Sequence, residues 1–122
     1  MADTHLDRDI LNALQEVMED EYPTLLDTFL SDSEERLRIL RKAEDAAQLM
    51  NAAHSFKGSS SNMGAVRLAA LCHELEQRAK NKNLSGVEKL VGEIDGEFAL
   101  VRPLYEAECR PGSPTKAIVP RF

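Results

Sequence analysis

His54, Lys57 and Gly58 fall at i, i+3 and i+4 in one helix-patterned run, His54-Ser55-Phe56-Lys57-Gly58-Ser59-Ser60. Residues at these spacings share one surface of a helix. Together they offer a nucleophilic imidazole, a cation beside it, and a bare stretch of backbone that a large partner can approach. That combination suits a phosphoryl group. A glycine inside a helix costs about 0.5–1 kcal/mol relative to alanine, so Gly58 needs a reason.

Placing the segment on a helical wheel at ~100° per residue gathers Leu49, Ala52, Ala53, Phe56, Ser60 and Met63 on one side. This apolar or small-residue stripe is the buried face. His54 lies nearly opposite, in a sector shared with Ala47, Met50, Asn51, Lys57, Gly58 and Ser61. The outward sector is a shelf of small side chains with one cation and one exposed methionine. Ser60 falls on the inward stripe, where its small size suits close helix packing. A solvated face carrying a chance histidine would account for the position of His54 but not for Gly58.

The elements that must hold this patch are all helical, and no alternating strand pattern occurs anywhere. Asp7 is placed to cap a first helix with Ile10, Leu11, Leu14, Val17 and Met18 at helical spacing. Pro23 suits the first turn of a second helix, whose stripe runs through Tyr22, Leu25, Leu26, Phe29, Leu30, Leu37 and Leu40. Its outer face is charged, with Glu34 and Glu35 spaced to pair with Arg38. Asp45 and Gln48 read as a capping box opening the histidine helix, and Gly64 as its left-handed C-terminal residue. A fourth helix turns Val66, Leu68, Leu71, Cys72, Leu75 and Ala79 inward. Ser85 and Glu88 read as a second capping box, opening a fifth helix lined by Val87, Leu90, Val91, Ile94, Phe98 and Val101. Pro103 is expected to kink or fray its last turns. Short links between such helices favour antiparallel neighbours. The expected architecture is therefore all-α: an up-down antiparallel four-helix bundle with an additional N-terminal helix. It occupies residues 1–108, and the Pro- and Gly-containing stretch 109–122 is expected to be a disordered tail.

The run from Ala52 to Ala65, Ala-Ala-His-Ser-Phe-Lys-Gly-Ser-Ser-Ser-Asn-Met-Gly-Ala, resembles the histidine-containing phosphotransfer (HPt) domain family. The next helix, Leu68-Ala69-Ala70-Leu71-Cys72-His73-Glu74-Leu75-Glu76, continues the likeness, which covers roughly residues 7–108. The start at Met1 and the tapering tail point to the stand-alone bacterial type. The resemblance implies a phosphocarrier that takes a phosphoryl group on His54 from a receiver-domain aspartate of a hybrid sensor kinase. It would then pass that group to the receiver domain of a response regulator. Lys57 would stabilise charge, Gly58 would clear the approach, and Ala47, Met50, Asn51, Ser61 and Glu76 would face the partner. Magnesium would come with the receiver, and the chain itself would need no cofactor or metal. Family members often carry glutamine where this chain has Glu76. A carboxylate there would orient an imidazole but repel a phosphoryl group.

Composition narrows the classes further. A length of 122 residues suits one domain, and the formal charge of −6 argues against a nucleic-acid binder. No run approaches the ~20 apolar residues needed to span a bilayer, and no basic segment precedes an apolar one at the N-terminus. Cys72 lies on an apolar stripe as a small buried thiol. A monomeric cytoplasmic protein is expected, with no autokinase function, since there is no Gly-rich nucleotide-binding motif. The reading from another class is a helical protein–protein interaction module without phosphate chemistry.

Overall fold

The computed structural model describes residues 5–109. Of the tail expected over 109–122, Cys109 is the last residue of the final helix, and 110–122 lie outside the described residues. Helix α1 (Arg8–Met18) leads through a 3-10 turn (Glu19–Glu21) into α2 (Tyr22–Lys42). Then come α3 (Ala46–Asn62), α4 (Val66–Lys80) and α5 (Val87–Cys109). No strand occurs among the described residues. Helices α2 to α5 form a closed ring in which α3 packs on α2 and α4, and α5 packs on α2 and α4. This is the up-down four-helix bundle, with α1 against α2 as the additional helix.

Local chemistry sets most of the boundaries. The Asp7 carboxylate accepts from the backbone amides of Asp9 and Ile10, satisfying donors that a helix start leaves open. Pro23 sits in the first turn of α2, where its missing amide costs nothing. The Asp45 carboxylate accepts from the Gln48 amide at 2.8 Å. The return bond differs from a standard capping box, because the Gln48 side chain accepts from the Glu44 amide instead of the Asp45 amide. Gly64, at φ +77°, ends α3 as expected.

Four sequence expectations need correction. Ser85 does not cap α5: the helix opens after Gly86, at φ +76°, and Ser85 instead gives its carbonyl to Arg78. Val17 and Val66 are exposed, because each sits near a helix end with no neighbour over it. Pro103 does not fray α5, which continues to Cys109. The carbonyl it strips of a donor belongs to Ala99, on the same exposed face, where water can replace the bond. Of the two expected Arg38 pairs only Glu35–Arg38 forms, while Glu34 pairs across to Arg102 on α5.

The core is built from the expected stripes and is closed at one end by Tyr105, which lies two residues beyond the proline and is fully buried. Ser60 is fully buried too, and its hydroxyl has no partner among the described residues. Its contribution is small volume at a helix contact. Glu97 is a buried carboxylate whose Oε2 lies 2.7 Å from His5 Nδ1, with Arg67 3.6 Å from its other oxygen. No helix among the described residues is long and apolar enough to cross a membrane.

Candidate phosphotransfer site

The inward stripe of α3 fixes which way His54 points. Ala53 and Phe56 are fully buried on either side of it in sequence, so the intervening side chain must face out. It does: the imidazole is 69% exposed. Yet it is not free. His54 Nδ1 lies 2.8 Å from Oε2 of Glu76 on α4. The other carboxylate oxygen, Oε1, lies 2.7 Å from Lys57 Nζ. That separation makes a close ion pair.

One carboxylate on α4 therefore bridges His54 and Lys57 of α3. The Lys57 ammonium holds the Glu76 carboxyl below its ordinary value, partial burial opposes this, and the bond to His54 adds to the lowering. Glu76 is thus ionised near neutral pH. An ionised carboxylate only accepts, so the proton of this contact belongs to Nδ1. The neutral imidazole then keeps its lone pair on Nε2, which has no hydrogen bond among the described residues.

Lys57, placed in the outward sector by the helical wheel, is half-buried and engaged with Glu76. Gly58 is exposed one turn on, and a Cβ built there meets no atom within 4 Å. Nothing among the described residues requires a glycine at this place. Ala47, Asn51 and Ser61 are exposed on the same helix, as expected. Asn51 opens into a groove between α2 and α3, beside Arg36 and Ser55, whose side chains share a 2.9 Å hydrogen bond. Met50 departs from expectation, being partly buried against the core and not standing out on the shelf.

Glu76 is the residue whose part sequence reasoning left unsettled. The structure brings it to His54 and Lys57 together. His73, on the same helix, is exposed, and Cys72 is fully buried with its thiol pushed up to about 12 by desolvation.

The sequence pattern described as "Hpt domain" matches residues 24–103. The chain belongs to the Hpt domain family. No curated protein sequence matches it. Among solved structures, this Hpt domain is similar to histidine-containing phosphotransfer protein B (HptB) from Pseudomonas aeruginosa PAO1. The two are 56% identical with a TM-score of 0.84, and the match covers 86% of this chain and 94% of that one. The Hpt bundle is therefore shared over nearly the whole relative, including the helices that carry His54, Lys57 and Glu76.

Proposed function

We propose that this Hpt domain is a phosphocarrier of a multistep phosphorelay with His54 as its phosphorylated residue. The observation that carries the reading is the imidazole itself. It is exposed on a helix face, held at Nδ1 by Glu76, and left with Nε2 as its free nucleophile. Phosphoryl transfer asks for positioning and charge stabilisation more than for covalent help. Glu76 supplies orientation. Lys57 supplies a cation one turn from the nucleophile, and Gly58 leaves room for the loops of a receiver domain.

The donor in this reading is an aspartyl phosphate on the receiver domain of a hybrid sensor kinase, and the acceptor is the receiver domain of a response regulator. Each receiver brings its own magnesium. The protein works as a monomer in the cytoplasm and is a phosphocarrier without kinase activity of its own. Nothing favours the alternative of a helical interaction module without phosphate chemistry, which leaves the Nδ1 contact and Gly58 unexplained.

The test is to mix the protein with a receiver domain carrying radiolabelled aspartyl phosphate. Wild type is expected to acquire acid-labile, base-stable label. His54→Gln is expected to fold with unchanged helix content and acquire none. Equal labelling of the variant overturns the assignment of His54.

A further inference from the structure

The outward face of α5 is apolar where a solvated helix face carries polar side chains. Leu100 is 52% exposed and Leu104, one turn on, is 40% exposed, with Pro103 and Ala107 exposed beside them. Gly96 extends the strip one turn back, and a Cβ built there meets no atom within 4 Å. Because α5 packs on α2 and α4, across the ring from α3, the strip lies away from His54. We propose that the C-terminal segment 117–122 of this same chain, Ala-Ile-Val-Pro-Arg-Phe, docks on this strip and covers Leu100 and Leu104. Docking there closes an apolar surface that would otherwise invite association, and it leaves the imidazole open. The proposal stands whether or not His54 carries phosphate.

The segment is suited to the strip in composition and reach. Ile118, Val119 and Phe122 are apolar side chains without a periodic face of their own, and α5 offers the surface that such a short stretch cannot make alone. Pro111-Gly112 follows the last residue of α5 at one remove, and this pair is a turn signal. Proline presets the first central position of such a turn, and glycine accepts the second. A turn there sends the chain back along the helix it has just left. At 1.5 Å per residue, Leu104 and Gly96 lie about 8 and 20 Å back from Cys109. The ten residues 113–122 reach up to about 33 Å when extended, so the whole strip is within their span.

Charge favours the same pairing. Residues 110–122 carry Arg110, Lys116 and Arg121 and no acidic side chain. Helix α5 carries six carboxylates against two cations. Asp95, Glu97, Glu106 and Glu108 are engaged with Arg41, His5, Arg102 and Arg8. Glu93 is exposed two turns before Leu100, on the same face, and has no ion pair among the described residues. A cation arriving with Phe122, such as Arg121, meets a carboxylate there. Attachment to α5 holds the segment at an effective concentration on the order of millimolar, which an untethered partner rarely matches. A second copy of the chain is the poorer occupant, since a formal charge of −6 brings one acidic surface against another.

Methyl-labelled NMR of the full chain tests the docking directly. Nuclear Overhauser contacts are expected from Ile118 or Val119 to Leu100 or Leu104, with strengths that do not change on dilution. Limited trypsin digestion gives a second reading at the Lys116–Ala117 bond. The double variant Leu100→Ser, Leu104→Ser changes only exposed side chains and is expected to lose the contacts. If the segment is docked about nine-tenths of the time, that bond in wild type should be cut about tenfold more slowly than in the variant. The wild-type contacts decide the matter even if the variant folds poorly. Absence of those contacts in wild type, or contacts from 117–122 to another face of the bundle, would overturn the proposal. Contacts that fade on dilution would also overturn it, assigning the strip to a second copy of the chain.

Discussion

The Tyr105 hydroxyl on α5 donates a 2.6 Å hydrogen bond to the carbonyl of Met63, the residue that ends the histidine helix. Both residues are buried, and the Tyr105 ring also packs edge-to-face on Phe29 at 5.2 Å between centroids. A few atoms away the Asp7 amide donates to the Gly64 carbonyl at 2.7 Å. The C-terminal end of α3 is therefore tied to α5 and to the residue that caps α1.

Tyr105→Phe isolates this tie. The ring and its packing remain, while the Met63 carbonyl is left without its donor in a dry setting. The expected cost is about 1–3 kcal/mol in chemical denaturation. Phosphotransfer should persist at temperatures where the variant is folded. A variant as stable as wild type would mean that the carbonyl finds another donor.

Gly64→Ala tests the same end of α3 from the backbone. A left-handed φ of +77° disfavours any Cβ, and one built there stands 3.1 Å from the Asp7 carbonyl oxygen and 3.3 Å from Ile10 Cβ. Conformational strain of about 1 kcal/mol adds to the contact, so a loss of roughly 1–3 kcal/mol is expected. Urea denaturation measures it, and a neutral result would rule out strain at this turn.

Gly58 should behave in the opposite way. Its backbone is helical and its surroundings are open, so Gly58→Ala is expected to raise stability by about 0.5–1 kcal/mol. Gly58→Gln should hold stability and slow transfer from a phosphorylated receiver domain, because it plants a long side chain one turn from His54. Transfer at the wild-type rate would remove the case that the glycine clears a docking surface.

Alkali should weaken the fold through its buried acids. Desolvation raises the Cys72 thiol from 9.0 to about 12, and burial raises the Tyr105 hydroxyl as well. A raised folded value means that the contribution is fully present below the unfolded value and is lost as pH climbs toward the folded one. For Cys72 alone the loss is about 1.4 kcal/mol per pH unit across that window. Melting temperatures should hold to roughly pH 9 and fall above it, less steeply in Cys72→Ala. Identical slopes for the two proteins would show that Cys72 is not the group responsible.

The fold was legible in sequence wherever one helix carries its own signal. The caps at Asp7 and Asp45, the turn at Gly64 and the inward stripes all depend on residues within a few positions of one another. The outward aim of His54 follows from the same local arithmetic. Most of what escaped depends on neighbours distant in sequence; the local exceptions are the Ser85 cap, displaced by Gly86, and the fraying expected at Pro103. A wheel drawn for α3 cannot show that Glu76 on α4 lies at its own height, because that depends on how the two helices are offset along their axes. Met50, Val17 and Val66 departed for a related reason, since a stripe says nothing of whether another helix reaches far enough to cover it. Glu97 and Tyr105 carried no signal by which sequence could place them, one being a charged residue in the core and the other lying beyond a proline.

The single exposed imidazole on α3 also governs traffic. On the proposed reading of His54, donor and acceptor must approach the same small area around its imidazole. A spent donor must therefore leave before an acceptor can arrive, and the two can never be bound together at the nitrogen. Turnover then follows double-displacement kinetics, in which an excess of unphosphorylated donor occupies the only berth and throttles the flow. On that reading, residence time on this face, and not only the chemistry at His54, would set how quickly a signal passes.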